Sequence, residues 1–324
     1  MRPEVSVVMA VHDDAPYLAE TMDSVLSQSG PRVELVVVDD GSTDGSREIL
    51  RRYAEEDARV RLVEQEHQGL TPALIHGCGL VTSEIVARQD AADVSRPGRL
   101  AAQRQALEAD PGLVLVSCWT DVCGPAWEYL YTQRGTGRAE RPLDGVGREG
   151  SRAVLLDAPP HHGSAMFRKS AYDRVGGYRE AFFLAQDRDL WFRLAEVGRL
   201  QVLARAWYAA RVLPDSRTST YLDTQLRLGR LARRAFEARQ EGRSDADVVR
   251  EAGGLRPDGR PDGRSRAAAY YFIGEALRRN ADARCIEYFR RAVALDPLAA
   301  RAWARLAQAG TRQGLSILGW PWRS

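Results

Sequence analysis

Lysine is almost absent from this chain. Lys169 is the only one, so arginine supplies the rest of the basic charge, a skew that reads as coding bias rather than function. Excess charge is missing too. The 46 basic residues stand against 44 acidic ones, and the net +2 is too small to argue for a nucleic-acid partner. Cysteine is sparse: Cys78, Cys118, Cys123 and Cys285 form no Cys-x-x-Cys pair. That spacing excludes a disulfide framework or zinc site and predicts reduced thiols in a cytoplasmic protein. Long apolar runs are lacking as well. Val33 to Val38 is broken by Glu34, far short of the ~18 apolar residues of a membrane span. Met1-Arg2-Pro3-Glu4 leads straight into a strand-like segment, which predicts no signal peptide. What is present is a globular balance, 44% hydrophobic and 28% charged over 324 residues, with room for two domains at roughly 150 residues each.

The first half alternates strand and helix signals. Apolar segments at 5–11, 34–39, 60–63, 85–87 and 113–116 read as strands. Helical stretches lie between them, from about Tyr17 to Gln28, through Ile49, Leu50 and Tyr53, and from Leu70 to Leu80. Ser42-Thr43-Asp44 has the composition of a helix N-cap. Strands separated by helices imply an α/β fold, a mainly parallel sheet covered on both faces, with ligands bound beyond the carboxyl ends of the strands. Residues 124–150 read as loop, and a helix is expected from near Asp187 through Leu194. A basic helical extension follows at 216–252, carrying Arg227, Arg230, Arg233 and Arg234. Arg-Pro-Asp-Gly-Arg-Pro-Asp-Gly-Arg within 253–266 reads as a turn-forming linker. The expected division is therefore a domain at 1–215, the extension at 216–252, the linker, and a helical segment at 267–324. Few contacts are expected to cross the linker, so residues 1–252 should stand alone.

Three acidic clusters fall where a ligand would bind. Val38-Asp39-Asp40-Gly41-Ser42-Thr43-Asp44 ends the second strand, Arg88-Gln89-Asp90-Ala91-Ala92-Asp93 ends the fourth, and Gln186-Asp187-Arg188-Asp189 opens a helix. Paired carboxylates at a strand end accept hydrogen bonds from a base or ribose. As hard oxygen donors they also suit Mg²⁺ or Mn²⁺. A dinucleotide-binding turn would need glycines after the first strand, and this chain has His12-Asp13-Asp14-Ala15 there.

The order and spacing of these clusters resemble the family 2 glycosyltransferases of GT-A fold over roughly residues 4–210. Val36 to Ser46 is similar to that family's Val-Asp-Asp-Gly-Ser-x-Asp signature. Gln68-Gly69-Leu70, Pro97 with Arg99-Leu100, His162 to Arg168, Gly176-Gly177-Tyr178 and Asp187 to Leu194 follow in the family's order. The chain departs from the pattern at Asp13, His67, Ile75 and Ala92. The resemblance implies an inverting transfer from a UDP- or dTDP-type sugar donor to a hydroxyl acceptor in polysaccharide or glycoconjugate synthesis. The acceptor it implies is a carbohydrate or a lipid-linked sugar, and the cofactor a divalent ion, Mn²⁺ or Mg²⁺. Carried over residue by residue, Ala10 and His12 border the base. Asp40 takes the base imide N–H with Asp39 beside it, and Arg88 and Asp90 contact the nucleotide. Asp93 and His162 serve the metal, and Asp187 is the general base. The alternative is a nucleotide-sugar-binding scaffold impaired at Ala92. After the linker, Phe289, Ala292, Pro297, Trp303 and Leu306 resemble parts of a tetratricopeptide repeat, which suggests a protein partner. The basic helix suggests peripheral contact with an anionic membrane face.

Overall fold

The structure is a computed structural model that describes residues 2–134, 159–216, 220–256 and 263–317. Two compact units divide it: residues 1–121, 132–210 and 225–256 form one, and 122–131, 211–224 and 257–324 the other.

In the first unit, β1 (Val5–Val11) lies between β2 (Val33–Asp40) and β4 (Ile85–Asp90), parallel to both, and β3 (Val60–Gln65) continues the parallel run beyond β2. Next to β4 the direction reverses at β8 (Met166–Arg168), which is antiparallel to β4 and to β6 (Leu113–Cys123). The full order is β3-β2-β1-β4-β8-β6-β9-β5, with β5 at Val94–Ser95, β9 at Arg199–Arg211, and β7 (Tyr129–Gln133) paired to β6. The sheet is mixed: parallel where the alternating pattern is clear, antiparallel beyond it.

The strands read as continuous apolar runs because both faces are covered. Val5, Val7, Met9 and Val11 pack with Leu18, Met22 and Val25 of α1 (Ala15–Leu26) and Leu100 and Leu107 of α4 (Arg99–Ala109). On the other face α3 (Leu70–Leu80) approaches so closely at Gly77 that a Cβ there would meet Val8 Cγ1 at 2.7 Å. α2 (Ser46–Glu56) starts one turn later than the Ser42-Thr43-Asp44 pattern predicts. Gly45 is the N-cap, at φ +93°, and Asp44 Oδ1 accepts from the Ser46 N–H at 3.0 Å.

After β8 come α5 (Lys169–Arg174), α6 (Gln186–Val197), α7 (Leu222–Gln240) and α8 (Ala246–Gly254). The expected basic extension is not a separate arm: Phe236 stacks on Phe192 of α6 with centroids 4.8 Å apart. Arg179 bridges Asp189 and Asp245, and Arg239 bridges Asp245 and Glu196. In the second unit, α9 (Gly263–Arg279), α10 (Cys285–Leu295) and α11 (Ala300–Ile317) form the C-terminal helical segment. Because α8 runs to Gly254 and α9 begins at Gly263, the irregular stretch is narrower than 253–266, and residues 257–262 lie outside the described ones. This unit also takes in the hairpin of residues 122–131. Val122 and Leu130 share a core with Ile273, Leu277, Tyr288 and Phe289. Asn280 donates to the carbonyls of Tyr129 and Leu130, and the Tyr288 hydroxyl to Glu128. The expectation that few contacts cross the linker is corrected by this core, which joins segments far apart in the chain.

Candidate active site

The carboxyl ends of β1, β2 and β4 bring the first two acidic clusters together. Ala10 pairs in register with both Val38 and Asp90, and Val11 with Asp39. The turn after β1 is sewn to the loop after β2. Asp13, at φ +56°, accepts from Thr43 N–H at 2.7 Å, Asp14 N–H donates to Ser46 Oγ, and Ala15 N–H to Asp44. An aspartate tolerates that left-handed backbone better than most residues.

Asp39 and Asp40 are buried and already engaged. Asp39 accepts from Arg47 Nε at 2.8 Å and from Ser42 N–H at 3.2 Å. Asp40 accepts from Gln65 Nε2, from the N–H groups of Gln68 and Gly69, and lies 2.9 Å from His67 Nδ1. These contacts make Asp40 the anchor of the turn that starts α3, where the sequence reading had it facing a base. The surface above it is aromatic instead: the exposed rings of His12 and His67 stack at 4.0 Å, and each Nδ1 lies within 3.0 Å of the Asp40 carbonyl oxygen.

Arg88, read from the sequence as a nucleotide contact, is fully buried. It donates to the Val8 carbonyl and holds Asp90 Oδ1 at 2.9 Å. Burial works against the Asp90 carboxylate, but Arg88 and the two neighbouring histidines hold its pKa below the ordinary value. Asp90 is fixed from the other side by Tyr208, whose hydroxyl oxygen accepts from the Asp90 N–H at 3.1 Å. Gly163 fits between them because a Cβ there would fall 2.1 Å from the Tyr208 hydroxyl and 2.7 Å from Asp90 Oδ2.

The structure adds a histidine to the sequence reading. Ligand atoms of Asp90, Asp93 and His161 lie within 4.8 Å of one another, and His162 also stands near enough to Asp90 to lower its pKa. The His161 Nδ1 is buried with no hydrogen-bond partner. Two carboxylates and an imidazole with a buried, unbonded nitrogen are the donor set of a divalent-ion site, so these residues fit the expected metal. His162 turns its Nε2 to the Tyr178 hydroxyl at 2.8 Å and to Arg88 Nε at 3.4 Å. Burial, and then the Arg88 charge, push its pKa down to about 3, so it is neutral.

The third cluster opens α6. Burial raises the pKa of Asp187, against the pull of the Arg188 N–H, which donates to its Oδ1 at 2.8 Å, and of the Arg188 charge. Asp90 also bears electrostatically on Asp187, adding to the rise. Gln186 Oε1 beside it is buried without a partner. Asp14, which the sequence reading did not single out, belongs here too. Burial, with Asp44 and Asp90 adding to it, raises its pKa to about 6.

The sequence profile of Glycosyl transferase family 2 matches residues 6–176. The chain belongs to that family. Over 227 residues it is 34% identical to "Putative glycosyltransferase EpsE" of Bacillus subtilis (strain 168), spanning 68% of this chain and 78% of that one. Among solved structures it resembles the mannosyltransferase PcManGT from Pyrobaculum calidifontis in complex with GDP-Man and Mn²⁺. That likeness has a TM-score of 0.54 and 23% identity, over 94% of this chain and 84% of that chain. It also resembles S. aureus TarS 1-349 in complex with UDP-GlcNAc, at TM-score 0.53 and 16% identity over 97% and 92% of the two chains. These structures share the fold, GT-A, with this family 2 glycosyltransferase. Among the described residues no helix is long and apolar enough to cross a membrane.

Proposed function

We propose that this glycosyltransferase is inverting, moving a sugar from a UDP- or dTDP-type donor to a hydroxyl of a carbohydrate or lipid-linked acceptor in polysaccharide or glycoconjugate synthesis. The observation that carries this reading is Asp187: a carboxylate of raised pKa at a helix start, within electrostatic reach of the Asp90 corner. Raised basicity suits a group that takes the acceptor's proton as its oxygen attacks. One displacement then inverts the anomeric centre, and no side chain needs to bond the sugar. The stacked His12 and His67 rings offer a face for the base, with Ala10, Asp39 and Asp40 shaping the floor beneath. Asp90, Asp93 and His161 would hold a divalent ion, which supplies Lewis-acid charge for the leaving diphosphate. Neutral His162, bonded to Tyr178 and Arg88, positions the Asp90 corner. The exposed arginines of α7 support contact with an anionic membrane face.

The test is Asp187→Asn. Turnover is expected to fall by roughly 10²–10⁴, with UDP affinity in the presence of Mn²⁺ kept within about twofold, because the base acts on the acceptor. Equal loss of both would remove Asp187 from that role. In the same titrations His161→Ala is expected to weaken Mn²⁺ binding and His162→Ala to leave it nearly unchanged. The reverse result restores His162 as the ligand.

A further inference from the structure

Arg188 stands apart from the other arginines around α6. Arg179 and Arg193 both pair with Asp189, and Arg239 pairs with Glu196 and Asp245. Arg188 has no hydrogen-bonding or ion-pairing side-chain partner among the described residues, and its Nε is buried and unbonded. Its neighbour Asp187 reaches only its backbone N–H. The guanidinium nevertheless has a built place. It lies over Gly229 in the middle of α7, where a Cβ would fall 3.0 Å from Nη1. Glycine inside a helix is destabilising relative to alanine, and here it makes room for the arginine. Asp187 feels the Arg188 charge, but among the described residues no hydrogen bond or ion pair takes up the guanidinium's donors, and unspent donors at a half-buried site are unfavourable. Its planar fork is matched to a phosphate or carboxylate.

We propose that Arg188 is an oxyanion subsite for the acceptor: the hydroxyl presented to Asp187 belongs to a molecule carrying a phosphate or carboxylate beside it. The proposal rests on the reading of Asp187 as the base. It assigns the anion to the acceptor because Arg188 adjoins Asp187 in the chain, whereas the Asp90, Asp93 and His161 corner is the place for the donor's diphosphate.

The experiment titrates wild type, Arg188→Gln and Arg188→Lys with glucose 1-phosphate, glucuronate and uncharged methyl glucoside, by calorimetry. Each series is run with and without saturating UDP and Mn²⁺. Wild type is expected to bind one of the charged sugars roughly tenfold more tightly than methyl glucoside, and which one it prefers separates phosphate from carboxylate. Arg188→Gln is expected to lose that preference and keep its UDP affinity, and Arg188→Lys to recover part of it. The proposal is overturned if wild type shows no preference for charge, if the preference survives in Arg188→Gln, or if UDP affinity falls together with it, which would place Arg188 on the donor. Failure of wild type to bind UDP at all would overturn the donor reading instead. The nucleotide-free series would still decide the subsite.

Discussion

Arginine does opposite jobs at the candidate site and in the C-terminal helical unit. In the first, Arg88 and Arg99 are fully buried and spend their forks on the frame of the site. Arg99 donates to Gln103, Gln89 and Ser95 and to the carbonyls of Arg88 and Gly163, with Tyr208 under its guanidinium at 4.8 Å. In the second, Arg278, Arg284 and Arg291 pair with acids two to four residues away on the helix surface. The helical unit is held instead by apolar and aromatic packing around Ile273, Leu277 and Phe289. The comparison teaches that a count of arginines says little until burial is known. A buried fork with five donors fixes backbone geometry, whereas an exposed pair is screened by water.

Three changes press on that comparison. The largest effect is expected from deleting residues 257–324. Removing the helices bares Val122 and Leu130 and strands Glu128, so loss of soluble monomer is expected in size-exclusion chromatography. A stable monomer would show that the hairpin does not depend on the helices. Next is Arg99→Met, which leaves several buried oxygens without donors at about 1–3 kcal/mol each. A loss of about 3 kcal/mol or more in urea unfolding is expected, together with weakened Mn²⁺ binding as the Asp90 and Gly163 segments drift apart. A loss under 1 kcal/mol would mean the network is dispensable. The smallest is Arg291→Ala, an exposed i,i+4 pair, for which a change within about 0.5 kcal/mol is expected. A larger loss would show that the ring contacts of Arg291 with Tyr270 and Tyr288 carry weight.

Much of the first unit was legible because its signals are local. β1, β2 and β4 read as apolar runs, the last two ending in carboxylates, and α6 begins at Gln186, one residue before the expected start at Asp187. The same locality left one of two adjacent histidines out of the reading. His161 joins Asp90 and Asp93 in a metal-binding geometry, and His162 is held by Tyr178 and Arg88. Asp40 was legible as a strand-end acid but not as an acceptor already engaged by residues 65–69, because those donors arrive from the next crossover. Arg99 and Gly163 were legible only as parts of family motifs, and Tyr208 carried no signal. Their roles at the site come through long-range contacts, Tyr208 with the Asp90 N–H, Arg99 with the Gly163 carbonyl, and Gly163 against Tyr208 and Asp90.

The sequence by itself determined the alternation of strands and helices, the three acidic clusters and the family they resemble. Apolar periodicity and short motifs act over a few residues and are written where they act. Tertiary structure alone decided which oxygens remain open, that His161 joins the carboxylate cluster, and that, among the described residues, the Arg188 guanidinium makes no hydrogen bond or ion pair. It also decided that the C-terminal helices share a core with residues 122–131. These outcomes depend on burial and on hydrogen-bond competition among groups that meet only once the chain has folded.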